Sequence, residues 1–142
     1  MRLAQLQAAD GPVIARTDPL EGAGAARKAA DGHYWAWARV NGTWVRFLVD
    51  TGATAVALTP ADAARLGFKP ADLDYQQKIV TAGGSSRAAA VTLASVAVGD
   101  ARIDDVTALV VEHGLDTSLL GMSYLGRLSR FEATREALTL RP

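Results

Sequence analysis

Apolar and polar residues alternate along residues 33–40, and a period of two is the pattern of a β-strand with one buried face. The alternation assigns Tyr34, Ala36, Ala38 and Val40 to one face and Trp35, Trp37 and Arg39 to the other. Asn41-Gly42 follows directly, and both residues accept the positive φ angles of a type I′ turn. We therefore predict a hairpin whose second strand covers residues 43–49.

The second strand of this hairpin ends in an acid and a tight turn. Its apolar end leads into Asp50-Thr51-Gly52-Ala53, and a further apolar run, Val56-Ala57-Leu58, comes soon after the turn. Gly52 allows backbone segments to approach closely, and the Thr51 hydroxyl can form a side-chain hydrogen bond. The pattern predicts that the Asp50 carboxylate is held in one position between two packed segments.

A short helix is predicted after the second apolar run. Thr59 suits its N-cap, Pro60 suits its first position, and Asp62 opposes the helix dipole in the first turn. Gly67 is expected to end the helix. The helix is therefore short and mostly alanine, with Leu66 as its contact with the core.

The rest of the chain has the patterns of several strands. Residues 75–81 and 87–98 flank the small, polar segment 82–86, which predicts a second hairpin. One or two short strands are expected within residues 103–111, and a closing hairpin is expected within residues 131–140. The chain is therefore expected to be mainly β.

Composition limits the classes of function. The 142 residues suit one domain. The formal net charge is zero and the basic residues are scattered, so no nucleic-acid partner is expected. Cysteine is absent, which excludes disulfides and thiolate catalysis. His33 and His113 have no partner at metal-ligand spacing, so neither a metal nor another cofactor is expected.

The beginning of the chain differs in composition from the rest. Residues 1–30 are rich in Ala, Gly and Asp and show little periodicity, so we expect a flexible lead-in before a single domain over residues 31–142. Residues 12–15 form an apolar patch that suits an edge strand. No apolar run reaches the roughly 18 residues that span a bilayer, so the chain itself is expected to be soluble.

Two motifs carry a resemblance to a known family. Leu48-Val49-Asp50-Thr51-Gly52-Ala53-Thr54 resembles the active-site signature of aspartic proteases, and it is most similar to the retroviral-type, single-lobe branch in its bacterial members. Leu119-Leu120-Gly121 stands where that branch carries an apolar-apolar-Gly motif before a short helix. The resemblance covers residues 32–140. It implies a closed, acid-protease-like β-barrel lobe with one or two short helices, which dimerises.

The resemblance also implies the hydrolysis of peptide bonds by two carboxylates. One carboxylate deprotonates a water molecule while the other donates a proton. The chain contains only one Asp-Thr-Gly, because Asp116-Thr117-Ser118 lacks the glycine and Asp31-Gly32 lacks the threonine. The second acid is therefore expected to be Asp50 of another copy, across a two-fold axis. The implied partners are an identical subunit and a protein or peptide substrate.

The same resemblance implies roles for the neighbouring residues. Thr51 would bond across the pair of acids, and the Gly52 amide would stabilise the charge on Asp50, with Ala53 completing the loop. Gly121 would let its neighbours pack tightly beside that loop. Ala82, Gly83 and Gly84 would form a flap over the substrate; the alternative is a plain hairpin turn. The paired acids would share a proton, which implies a bell-shaped, acidic pH optimum.

Two hypotheses of function result. The first is a homodimeric endopeptidase that acts on extended peptides. The second is a non-catalytic or weakly active module that binds peptides or dimerises on the same fold. The bacterial relatives further imply a periplasmic protein, or one that faces the periplasm from a membrane anchor outside this chain.

Overall fold

The computed structural model describes residues 25–28, 33–81, 83–133 and 137–141. Within these ranges it contains ten strands, two short α-helices and one turn of 3-10 helix at Pro70–Asp72. The strands are β1 (Ala25–Lys28), β2 (Tyr34–Val40), β3 (Thr43–Val49), β4 (Val56–Leu58), β5 (Gln77–Thr81), β6 (Gly84–Val98), β7 (Ala101–Val111), β8 (Leu119–Leu120), β9 (Arg130–Ala133) and β10 (Ala137–Arg141). The helices are α1 (Pro60–Arg65) and α2 (Met122–Leu125). The prediction of a mainly β chain is confirmed.

The hairpin of β2 and β3 follows the predicted alternation. The side chains that point inward from β2 are buried, whereas Trp37 and Arg39 are exposed on the opposite face. Asn41 and Gly42 have φ angles of 49° and 84°, as the type I′ turn requires. On the outer face, the Arg46 guanidinium lies 3.9 Å from the centre of the Trp35 ring, a cation–π contact that covers part of the ring.

All ten strands belong to one sheet, in the order β5-β6-β7-β4-β8-β3-β2-β1-β10-β9. An additional pairing joins β6 to β2, with Val96 opposite Val40, so the sheet folds back on itself. The β3–β8 and β4–β7 pairs are parallel, and the other pairs described are antiparallel. The predicted barrel is therefore best described as a β-sheet lobe.

The inward faces of the strands and helix α2 enclose one apolar core. Its largest fully buried side chains include Tyr34, Phe47, Leu58, Leu93, Leu120 and Tyr124. The Tyr124 hydroxyl donates a hydrogen bond to the Ala101 carbonyl oxygen at 2.5 Å, which satisfies the polar end of a buried aromatic residue. Burial also raises the pKa of Tyr124 above its usual value, because the core disfavours the charged phenolate.

Helix α1 begins and ends as predicted. The Thr59 hydroxyl accepts a hydrogen bond from the Asp62 amide at 3.1 Å, and Pro60 occupies the first helical position. Gly67 follows the helix with a φ of 94°. Leu66 packs against the core, as predicted, and Ala63 is fully buried.

The hairpin of β5 and β6 is tighter than predicted. Thr81 pairs with Gly84, so β6 begins three residues before the predicted start at residue 87, and the predicted five-residue tip is wrong. The polar residues that follow Gly84 still pair, because a sheet ladder needs only their backbone groups. Strand β7 is a single strand of 11 residues instead of one or two short ones.

The two ends of the described chain meet in the sheet. Strand β1 pairs with both β2 and β10, so Ala25–Lys28 is a strand and not the flexible segment that its composition predicted. Pairing with two neighbours satisfies its backbone groups, whatever its side chains. The closing hairpin of β9 and β10 is confirmed. The predicted patch at residues 12–15 lies outside the described residues. Neither described helix has the length and apolar character needed to span a bilayer.

Candidate active site

Asp50 follows the last residue of β3, between two neighbouring strands. Its backbone amide donates a hydrogen bond to the Leu120 carbonyl oxygen at 3.1 Å, and the Leu48 amide donates to the Ser118 carbonyl oxygen at 3.0 Å. On the other side of β3, Leu48 pairs with Trp35 of β2. The backbone that leads to the carboxylate is therefore held from both sides.

The turn after Asp50 folds around its carboxylate. Oδ1 of Asp50 accepts a hydrogen bond from the Gly52 amide at 2.9 Å, and the Asp50 carbonyl oxygen accepts one from the Ala53 amide at 3.2 Å. Asp50 and Thr51 are both half-buried. Within the described part of the chain, the Thr51 hydroxyl has no hydrogen-bond partner. The turn thus orients the acid and leaves the threonine hydroxyl available.

The Leu119-Leu120-Gly121 motif lies directly against this turn. The Met122 amide donates a hydrogen bond to the Ala53 carbonyl oxygen at 2.8 Å. A Cβ atom at Gly121 would lie 2.2 Å from the Ala55 carbonyl oxygen and 2.8 Å from that of Ala53, so only glycine fits this position without moving backbone. The structure therefore brings together the two motifs that the sequence singled out, although they are about 70 residues apart.

A groove of about 780 Å³ opens beside Asp50. The Asp50 turn, the end of β5 and the loop between β7 and β8 line it. Its lining is mostly apolar, and the only charged side chains that line it within the described residues are Asp50 and Asp116. No group of three or more potential metal ligands converges anywhere in that part of the chain. The groove volume is within the range typical of ligand pockets.

The described part of the predicted flap lies at the tip of the β5–β6 hairpin. Gly83 lines the groove, Gly84 is the first residue of β6, and Ala82 lies outside the described residues. A Cβ atom at Gly83 would be only 3.0 Å from backbone atoms of Gly114. The Thr81 hydroxyl accepts a hydrogen bond from the Gly83 amide at 3.1 Å. The hairpin tip therefore packs against the loop between β7 and β8.

A buried polar network around Ser118, which the sequence did not predict, lies beside the site. Ser118 is fully buried. Its hydroxyl donates a hydrogen bond to Oδ2 of Asp62 at 2.5 Å and accepts one from the Thr59 amide at 3.2 Å. These bonds connect α1 and its N-cap with Ser118, whose carbonyl oxygen accepts the hydrogen bond from the Leu48 amide. The sequence offered no signal for the pairing, because 56 residues separate Asp62 from Ser118.

Comparison with known proteins agrees with this geometry. The model of the family described as "gag-polyprotein putative aspartyl protease" matches residues 36–127. An uncharacterized protein encoded in the cobV 5' region of Sinorhizobium sp is 39% identical over 116 residues, which cover 81% of this chain and 50% of that protein. An uncharacterized protein of Rickettsia prowazekii is 40% identical over 113 residues, which cover 80% of this chain and 48% of that protein. The chain spans about half the length of these relatives.

Two solved structures are similar in fold. A retropepsin-like aspartic protease from Rickettsia conorii has a TM-score of 0.72 and 39% identity, with 80% of this chain and 94% of that chain covered. The EIAV protease in complex with the inhibitor HBY-793 has a TM-score of 0.56 and 22% identity, with 68% of this chain and 88% of that chain covered. The chain therefore belongs to the gag-polyprotein aspartyl protease family and has the retropepsin-like fold.

Proposed function

We propose that this chain is an aspartic endopeptidase that hydrolyses peptide bonds with a water molecule activated by two Asp50 carboxylates, one from each subunit of a homodimer. One observation carries the proposal: Asp50 is oriented by the Gly52 amide in a turn packed against Gly121, and it lines a groove of about 780 Å³. Family membership and the retropepsin-like fold support the same reaction class.

The need for a second subunit follows from the chemistry of the reaction. One carboxylate takes a proton from water while the oxygen attacks the peptide carbonyl carbon, and the second carboxylic acid protonates the carbonyl oxygen. The resulting diol collapses as the C–N bond breaks and the amine takes a proton. The described chain has one Asp-Thr-Gly turn, so a two-fold axis beside Asp50 would supply the second acid.

The neighbours of Asp50 suit this arrangement. The Gly52 amide stabilises negative charge on Oδ1, which leaves Oδ2 for the water molecule and the partner's acid. The Thr51 hydroxyl, which has no hydrogen-bond partner within the described residues, is available to bond to the turn of the second subunit. The reaction needs one acid ionised and the other protonated, so the pH profile of hydrolysis should be bell-shaped.

The substrate proposed is a protein or peptide segment in extended conformation. Strand β5 is the first strand of the sheet order, so one of its edges is unpaired within the described sheet. An unpaired edge can bond to the backbone of an extended peptide. Ala82, Gly83 and Gly84 would then form the flap that covers the bound segment and excludes water.

Asp50→Asn tests the catalytic proposal. Asparagine keeps an oxygen for the Gly52 amide but cannot act as the acid or base, so cleavage of an unfolded protein at acidic pH should fall by at least about 10²-fold. Asp100→Asn changes an exposed acid in the turn between β6 and β7 and should cleave like the unaltered protein. Equal cleavage by the Asp50→Asn variant would refute the proposal. Peptide binding without any hydrolysis would favour the non-catalytic module.

Sedimentation tests the homodimer separately. Activity per subunit should rise with protein concentration in step with the dimer fraction, because association creates the site. An active species that is strictly monomeric would contradict a shared site.

The proposed location is the periplasm, either free or attached by a membrane anchor outside this chain. Family resemblance alone supports this proposal. Fractionation of bacterial cells that express the full-length gene would test it, and recovery in the cytoplasmic fraction would argue against it.

A further inference from the structure

The groove beside Asp50 combines apolar walls with a second carboxylate. Asp116 is exposed and lies on the loop between β7 and β8. No basic residue lines the groove within the described residues, although the chain as a whole has zero formal net charge. The groove is therefore acidic because Asp50 and Asp116 both line it, and not because of the composition of the chain.

The position of Asp116 is tied to that of Asp50. The Leu48 amide donates a hydrogen bond to the Ser118 carbonyl oxygen. Asp50 comes two residues after Leu48 in the chain, and Asp116 comes two residues before Ser118. Because a strand rises about 3.3 Å per residue, the Cα atoms of the two acids lie within roughly 15 Å of each other, the reach of about four residues of an extended peptide.

The loop that carries Asp116 is fastened at both ends. At its start, the His113 amide donates a hydrogen bond to the Ser86 hydroxyl at 3.2 Å, and Gly114 packs against Gly83. At its end, Ser118 is held by Asp62 and by Leu48. Because these contacts hold both ends of the loop, the Asp116 carboxylate is restricted to a limited range of positions along the groove.

The Asp116 carboxylate forms no ion pair within the described residues. The acids that do form ion pairs there are Asp62, with Arg65, and Asp104, with Arg102. A carboxylate without an ion-pair partner in a mostly apolar groove attracts cations and repels anions, and it discriminates between them more strongly when a ligand displaces water from the groove.

We propose that Asp116 is a specificity-determining residue that favours substrates with Lys or Arg within about four residues of the scissile bond. The inference rests on the proposed protease function and names its substrate class: apolar, extended segments that carry a positive charge close to the cut. In a two-fold dimer, Asp116 would occur once on each side of the cleavage point, so a basic residue on either side would be favoured.

A set of matched peptides tests this inference. One apolar parent peptide is varied at the four positions on each side of the cut, with Lys, norleucine or Glu at one position at a time. At low ionic strength, kcat/KM should be about fivefold higher for Lys than for norleucine at the responsive position, and lower still for Glu. High salt should reduce the preference. Asp116→Asn should abolish it and Asp116→Lys should reverse it, whereas Asp100→Asn should retain it.

Binding measurements separate this inference from the catalytic proposal. The Asp50→Asn protein and its double variant with Asp116→Asn are titrated with the same peptides, with fluorescence anisotropy as the readout. A Lys preference in binding that needs Asp116 would support the inference even without hydrolysis. Hydrolysis with the same Lys-to-norleucine ratio in the unaltered and Asp116→Asn proteins would overturn it and leave the protease proposal intact. Absence of both binding and hydrolysis would overturn both.

Discussion

The two sides of the groove are built differently. On one side, backbone hydrogen bonds hold the Asp50 turn at its start, through the Asp50 amide, and at its end, through the Ala53 carbonyl oxygen. The turn also packs against Gly121. On the other side, the tip of the β5–β6 hairpin belongs to a strand at the edge of the sheet order, and Val80 is 84% exposed. Segments with few buried contacts open most easily. The Asp50 turn is therefore the more firmly held of the two, and the hairpin tip is the more exposed.

Gly121→Ala should have the largest effect, because it disrupts the more firmly held side. Its Cβ atom would meet two carbonyl oxygens at less than 3 Å, so backbone must move. We expect a loss of about 3 kcal/mol or more in the free energy of unfolding, measured by chemical denaturation. Gly67→Ala is the control, since it has a positive φ but nothing within 4 Å, and it should cost about 1–2 kcal/mol. An equal loss of unfolding free energy in the two variants would show that Gly121 is not in close contact with the carbonyl oxygens of Ala53 and Ala55.

Ser118→Ala should have the next largest effect. The change removes two hydrogen bonds of a buried hydroxyl and leaves Oδ2 of Asp62 and the Thr59 amide without that partner. The expected loss is about 2 kcal/mol in the free energy of unfolding. Ser85→Ala, at an exposed position of the hairpin, should change this free energy by less than about 0.5 kcal/mol. If both variants were equally stable, the two sides of the groove would not differ as described.

Gly114→Ala should affect the hairpin tip locally. Gly114 has a φ of 86°, and a Cβ atom there would lie 2.7 Å from the Thr81 hydroxyl oxygen, which accepts a bond from the Gly83 amide. We expect amide hydrogen exchange at Gly83 to become roughly fivefold faster, while exchange at Gly52 stays unchanged. Equal acceleration at both amides would mean that the two sides of the groove move together.

Val80→Ser should have the smallest effect on stability. The side chain is largely exposed, so the free energy of unfolding should change by less than about 0.5 kcal/mol. Because Val80 also lines the groove, loss of its apolar contact should weaken the binding of apolar peptides by roughly three- to tenfold, measured by anisotropy. Unchanged binding would argue that the tip does not cover the peptide.

Local physical chemistry made several elements predictable. The alternation in β2 and the turn at Asn41 and Gly42 follow from strand periodicity and from the φ angles that these two residues tolerate. The cap at Thr59 and the end of α1 at Gly67 depend on side chains and backbone within one helical turn. The Asp-Thr-Gly turn, and the presence of only one such turn, could be read from the sequence in the same way.

Other features depend on pairings between distant parts of the chain. The sequence by itself determined that a strand would deliver Asp50 into a tight turn; the tertiary structure decided that β8 lies parallel to β3, that Ser118 meets Asp62, and that Asp116 lines the groove. It also decided that Ala25–Lys28 forms a strand, against its composition. Strand partners and register depend on which edges and faces are left available by the whole fold, and local sequence patterns do not encode that choice.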